Sequence, residues 1–162
     1  MPIRLAILTV SDLGAAGRRP DTSGDSVQRW AEERGYLVVD RSVVPDESDV
    51  IAGALMGWAD GGTTDVIVTT GGTGLAPRDV TPEATRAVVE REVPGLAEAM
   101  RLAGRTSTPR AALSRGIAGT RGACLIVNLP GADGAVRDGL AVLEPLVEHV
   151  VQLLNAEPTD HG

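Results

Sequence analysis

The chain has no phenylalanine, and aromatic residues make up only 2% of it. Its core must therefore be aliphatic, drawn from the Val, Leu, Ile and Ala that dominate a 43% hydrophobic composition. A single cysteine, Cys124, excludes a disulfide scaffold. Set in an apolar stretch, it fits a buried core thiol in a reducing compartment. There is no Cys/His cluster, so no structural zinc site is expected, and His149 and His161 are read as surface residues. No apolar run approaches the roughly 20 residues that span a bilayer. Met1-Pro2-Ile3-Arg4 leads straight into an apolar segment without a signal-peptide profile, so a cytoplasmic protein is expected. Nor is there a basic excess. The net charge of −7 argues against a nucleic-acid partner or an anionic membrane surface. It also constrains any phosphate site, where attraction must come from local amides, a few arginines and a divalent cation.

What is present is an alternation of apolar runs and amphipathic stretches across 162 residues, one domain's worth of chain. Strands are expected at Ile3 to Val10, Tyr36 to Val44, Asp65 to Thr70 and Ala123 to Asn128. Between them, a helix is expected from Asp25 to Arg34, with Val27, Trp30 and Ala31 on its inner face and Gly35 as its stop. A second, capped by Ser48, runs to about Asp60. Pro82 to Leu102 reads as helical with a break at Pro94-Gly95, and Val136 to Leu154 as one closing helix. Residues 104–122 look irregular, with short strands around Ala111 to Ser114. There is no internal repeat or linker, so residues 1–154 are expected to form a single domain and 155–162 a loose tail.

Such alternation implies an α/β fold with a mostly parallel sheet covered on both sides. Ligands of such folds bind beyond the carboxyl ends of the strands. Those ends are Ser11-Asp12, Pro45-Asp46, the Thr70 to Gly74 loop, and Asn128-Leu129-Pro130-Gly131. Three acids, Asp12, Asp46 and Asp79, fall at or near them.

The third end is the most informative. A short apolar strand, Val66 to Val68, empties into Gly71-Gly72-Thr73-Gly74. Asp79 follows, then Thr81-Pro82-Glu83 as a helix start, with Thr81 as cap and Pro82 at the first helical position. Bare amides in such a loop can approach a phosphate closely, with a carboxylate in reach for a cation or a proton. No lysine follows the glycines, which excludes the P-loop pattern, and their spacing excludes the dinucleotide pattern. Taken alone, the glycines equally make a tight turn, Asp46 a helix-entry residue, Asp12 a turn-closing residue, and Ser114-Arg115 an edge-strand pair. The arginines at 18, 19, 105, 110 and 121 read as solvated.

Thr9-Val10-Ser11-Asp12, Asp21 to Gly24, Val44 to Glu47, Thr69 to Pro82, Pro94-Gly95, Leu113-Ser114-Arg115 and Asn128 to Gly131 together resemble the MogA/MoaB family of molybdenum-cofactor biosynthesis proteins, which includes the gephyrin G domain. The resemblance covers most of the chain. It implies a three-layer α/β/α sandwich, a homotrimer, and binding of molybdopterin, a pterin carrying a dithiolene and a terminal phosphate. For the MogA branch it implies Mg²⁺-dependent adenylylation of molybdopterin by ATP with release of pyrophosphate, and hand-over of the product to a molybdenum insertase. Carried over by position, Asp46 and Asp79 are the family's two critical acids, here the expected Mg²⁺ ligands. Gly71, Gly72, Thr73 and Gly74 would contact phosphate, Ser114 and Arg115 the pterin-phosphate side, and Asn128, Pro130 and Gly131 the wall beside it. Asp12 is placed there by its strand end and the family's Ser-Asp turn. Ala132-Asp133 departs from the family pattern, which usually has Ser or Asn after Pro-Gly, so one rim lacks a polar group. Two other functions fit less of the pattern: a non-catalytic MoaB-type molybdopterin carrier, and a nucleotide-cleaving hydrolase of the competence-damage type.

Overall fold

Along β1 (Arg4–Val10), Leu5 and Ile7 join one apolar cluster while Ala6, Leu8 and Val10 join another. That two-residue alternation is what a strand imposes, and with both faces apolar it demands cover on both sides. The computed structural model describes residues 1–156. After β1 come α1 (Asp12–Ala15), α2 (Thr22–Glu33), β2 (Leu37–Val44), α3 (Ser48–Asp60), β3 (Val66–Thr70) and α4 (Thr81–Val88). The second half carries β4 (Arg91–Glu92), α5 (Pro94–Gly104), β5 (Ala118–Arg121), β6 (Cys124–Leu129), α6 (Asp133–Leu143) and α7 (Val147–Asn155), with a 3₁₀ turn at Pro109–Leu113.

The sheet order is β2-β1-β3-β6-β5-β4. Pairing is parallel from β2 through β6 and antiparallel for β6 with β5 and β5 with β4. Helices α2, α5, α6 and α7 seal one face through Val27, Leu96, Leu140 and Val147 against Leu5, Val68 and Val127. On the other face, α3 and α4 lay Ile51, Leu55, Ala84 and Val88 on Leu8, Ile67 and Ile126. The result is the expected three-layer α/β/α sandwich. Each fully buried Leu, Ile or Val contributes about 1.5–3 kcal/mol, so an aliphatic core suffices. Among the described residues no helix is long and apolar enough to cross a membrane.

Register positions the site. Val10 lies beside Val44, Thr9 beside Thr70, and Thr70 beside Leu129, so four parallel strands end level with one another. Their following loops open on one edge of the sheet.

Several local expectations change. Helix α2 starts at Thr22 rather than Asp25, because the Asp21 carboxylate caps it by accepting the Gly24 amide at 3.0 Å. Ser48 is the first residue of α3, and Glu47 occupies its cap position without a side-chain bond. Thr81 does not cap α4. Val80 holds that position, and the Thr81 hydroxyl donates to the Gly71 carbonyl at 3.0 Å instead. The break before α5 starts at Val89 and holds the short β4. No strand forms at Ala111 to Ser114, where the 3₁₀ turn lies, and β5 comes later. The closing helix is two helices, interrupted where Pro145 lacks an amide hydrogen. Helix α7 extends to Asn155, one residue past the expected boundary; the rest of the expected tail, residues 157–162 with His161, lies outside the described residues.

Candidate functional site

The level strand ends open into a cavity of about 1220 Å³. That is somewhat more than the roughly 300–1,000 Å³ of a single small-molecule pocket. Of the residues chosen from sequence, all line it except Arg115.

The three acids converge from the segments that follow β1, β2 and β3. The Asp12 amide donates to Asp46 Oδ2 at 2.8 Å, and the Asp46 amide donates to Asp12 Oδ1 at 3.0 Å. Arg78 closes on Asp12 from the glycine-loop side, with Nε at 2.6 Å from Oδ2 and Nη2 at 2.9 Å from Oδ1. Both Asp12 oxygens are thus occupied, and the Arg78 fork holds its carboxyl below the usual range, helped by the Asp46 amide. Asp46 moves the other way. Burial pushes its carboxyl up, and the like charges of Asp12 and Asp79 add to this against the pull of the Asp12 amide and Arg78. Asp79 Oδ2 accepts the Ala76 amide at 3.0 Å, which closes the turn that carries it.

Asp46 and Asp79 each keep one carboxylate oxygen outside any hydrogen bond among the described residues. Those residues contain no group of three or more His, Cys, Asp or Glu that makes a ready-made metal cage. The donor chemistry nonetheless fits Mg²⁺, which is held by one or two carboxylates together with substrate phosphates and water.

The glycine loop needs its glycines. Gly71 and Gly72 have φ of 88° and 68°. A Cβ on Gly71 would stand 2.3 Å from the Val10 carbonyl oxygen, and one on Gly72 2.2 Å from Thr81 Oγ1. Thr73, only 4% exposed, lines the cavity with the glycines on either side of it.

The remaining chosen residues divide by what they touch. Asn128 lines the wall with its amide fully engaged. It donates to Thr69 Oγ1 and Thr85 Oγ1, both at 3.0 Å, and accepts the Ile117 amide at 3.2 Å. Pro130 and Gly131 form the wall beside it, Gly131 packing near Gly71. Ser114 reaches the cavity from the end of the 3₁₀ turn. Arg115 turns away from it. Its guanidinium binds the Gly74 carbonyl at 2.8 Å, the Asp79 carbonyl at 2.7 Å, and the Glu83 carboxylate. Ala132, at the cap of α6, brings no hydroxyl or amide to that rim, and the neighbouring Asp133 lines it with a carboxylate instead.

Sequence reasoning passed over Arg78, whose partner Asp12 is 66 positions away; Arg19 and Arg110, read as solvated, are exposed and also border the cavity. The one available signal was that Arg78 directly precedes a chosen acid. Asp21 was missed as a wall residue: it also accepts the Thr9 hydroxyl at 2.8 Å and Arg41 Nη2 at 2.9 Å.

Residues 6–149 match the family described as probable molybdopterin binding domain. The chain belongs to that family. Within it, the chain is 38% identical to a molybdopterin adenylyltransferase of Helicobacter pylori over 156 residues, covering 94% of this chain and 88% of that protein. It is 42% identical to the molybdenum cofactor synthesis protein cinnamon of Drosophila melanogaster, covering 94% of this chain but spanning only 26% of that longer protein. Among solved structures, the molybdopterin biosynthesis enzyme MoaB of Thermus thermophilus superimposes with a TM-score of 0.89 at 49% identity, covering 96% of this chain and 98% of that one.

Proposed function

We propose that this chain is a molybdopterin adenylyltransferase acting in molybdenum-cofactor biosynthesis. The observation that carries this reading is the convergence of Asp46 and Asp79 on one cavity with an open glycine loop. Identity of 38% to a molybdopterin adenylyltransferase of similar length supports it.

In the reaction, a terminal phosphate oxygen of molybdopterin attacks the α-phosphorus of ATP. The new P–O bond forms as the bond to the β-phosphate bridge breaks, and pyrophosphate leaves with the bonding pair. A phosphate monoester is already ionised near neutral pH, so the step needs no base; catalysis is positioning and charge stabilisation. The amides of Gly72 to Gly74 and the Thr73 hydroxyl would bind phosphate oxygens. Asp46 and Asp79 would hold Mg²⁺, which neutralises the approaching phosphates. Asp12 is itself anionic and doubly occupied, so its part is to fix Asp46. Ser114, Pro130 and Gly131 would shape the pterin side.

A non-catalytic carrier would leave two converging acids without a task, and it is the weaker reading. The buried Cys124 supports a reducing, cytoplasmic setting, a homotrimer is expected from the family resemblance, and a molybdenum insertase is the expected consumer of the product. Incubation with molybdopterin and Mg-ATP should release pyrophosphate in step with adenylylated pterin. Tight pterin binding with no pyrophosphate would overturn the enzyme reading in favour of the carrier, and light scattering showing a stable monomer would remove the trimer.

A further inference from the structure

The glycine loop is held from behind by two residues that do not line the cavity. Thr81 takes the first pair of carbonyls: its hydroxyl donates to Gly71 O at 3.0 Å and its amide to Gly72 O at 3.1 Å. Arg115 takes the second pair, its amide donating to Thr73 O and its Nε to Gly74 O, both at 2.8 Å. Four successive carbonyls thus point to one side. A trans peptide is planar, with its N–H opposite its C=O. Anchoring these carbonyls therefore turns the amides of Gly72, Thr73, Gly74 and Leu75 the other way. None of those four amides has an acceptor among the described residues, and all four residues line the cavity.

We propose that Thr81 and Arg115 are positioning residues whose bonds to the loop carbonyls aim this run of four amides at a polyphosphate. The inference rests on the phosphate-binding reading of the loop given above. Arg115 is suited to it because a guanidinium presents several donors in a fixed fork, whereas a lysine offers a point charge. Nη2 also donates to the Asp79 carbonyl at 2.7 Å, and Glu83 holds the far side of the fork. One side chain therefore holds both the last carbonyl of the loop, Gly74, and the segment carrying Asp79. The Glu83 carboxyl is held below its usual range by the Arg115 bond, so the clasp stays charged at neutral pH.

The test uses the full chain with Thr81→Val, Thr81→Ser, Arg115→Met and Arg115→Lys. Pyrophosphate release, Mg-ATP affinity by calorimetry, and hydrogen exchange of the loop amides are measured, with circular dichroism as a fold control. Thr81→Val removes the anchor on the Gly71 carbonyl and Arg115→Met that on the Gly74 carbonyl; each should lower kcat by about 10- to 100-fold, as expected when aligned donors are lost, weaken Mg-ATP binding, and reduce the slowing of loop exchange that Mg-ATP produces in the wild type. Thr81→Ser keeps the hydroxyl and should stay within about twofold of wild type. Arg115→Lys keeps the charge but not the fork, and should resemble Arg115→Met. Wild-type kinetics and ligand-induced exchange in folded Thr81→Val and Arg115→Met would overturn the inference while leaving the enzyme reading intact. If Arg115→Lys alone restored activity, charge rather than positioning would be its role, and the inference would fail for Arg115. Conversely, a wild-type protein that binds Mg-ATP but releases no pyrophosphate would sink the enzyme reading. The inference would then stand if the variants lost that binding.

Discussion

Asp12 and Asp46 each accept the other's backbone amide, at 2.8 Å and 3.0 Å, which staples the end of β1 to the end of β2. Arg78 bonds only one partner of the pair: its bonds to Asp12 are direct, and among the described residues no side-chain cation bonds Asp46. Asp46 is thus aimed by the staple but left short of positive charge, the state a carboxylate needs to share in holding a cation. Asp46→Asn should lower pyrophosphate release at least 100-fold. Asp12→Ala, which frees the Asp46 backbone, should cost about tenfold, within what misplaced reacting groups cost. Asp12→Asn retains an acceptor for the Asp46 amide and should cost less. Steady-state assay of the three variants ranks them, and equal losses in all three would show that Asp12 does more than hold its partner.

Asp79 is predicted to separate fold from function. Its Oδ2 accepts the Ala76 amide at 3.0 Å, and an asparagine carbonyl oxygen can keep that bond. Asp79→Asn should therefore melt within a few degrees of wild type yet lose turnover, because the charge is gone from the cavity. Differential scanning calorimetry beside the pyrophosphate assay checks it. An unchanged rate would remove Asp79 from the mechanism.

The strands and the edge they share were legible because apolar runs end abruptly at polar or glycine-bearing turns. Asp12, Asp46 and the Thr70 to Gly74 loop could therefore be gathered before any contact was seen. What local pattern failed to reveal was the choice of partners. Thr81 has the chemistry of a helix cap, but the Gly71 carbonyl lies closer to hand once the loop folds back, so the hydroxyl goes there. Likewise Arg115 sits beside Ser114 in sequence and yet faces away from the cavity, because Glu83 and three loop carbonyls are behind it. The apolar spacing from Val136 to Leu154 continues across Pro145, and periodicity outweighed the break that the proline imposes.

At the opposite end of the sheet, Asp65 accepts the Arg4 amide at 2.9 Å, Arg4 Nε at 3.1 Å and Arg4 Nη2 at 2.9 Å, with only 7% of Asp65 exposed. Its carboxyl is held below the usual range, chiefly by the guanidinium bonds and against its own burial. A depressed folded-state value means stability that is complete above the unfolded value of about 3.9 and lost as pH falls through the folded value. Asp65→Asn should destabilise by about 2 kcal/mol near pH 7, the scale of a charge-assisted bond. The gap from wild type should narrow below pH 4. Urea titrations at several pH values test the sign, and a gap that widens in acid would refute it.

Cys124 is 1% exposed and its thiol is pushed up to about 12, mainly by burial. The thiolate is the reactive form, so the native protein should resist an aromatic disulfide reagent and react fully only in denaturant. Rapid native labelling would mean that β6 opens locally.

Gly71 and Gly72 should differ in how far they can be rescued. Both hold φ values that cost an alanine about 1–2 kcal/mol. The obstacle to a Cβ at Gly72 is the Thr81 hydroxyl at 2.2 Å, a side-chain atom that can be removed. At Gly71 it is the Val10 carbonyl oxygen at 2.3 Å, backbone inside the sheet. Gly72→Ala combined with Thr81→Ala should therefore regain part of the stability that Gly72→Ala loses, leaving the backbone strain. Thr81→Ala should do nothing for Gly71→Ala. Thermal midpoints of the two single glycine variants and their two double variants form the cycle. Activity should return in neither double variant, because restoring room for a methyl group at residue 72 removes the hydroxyl that anchors the Gly71 carbonyl. A double variant as active as wild type would mean that the loop holds its shape without Thr81.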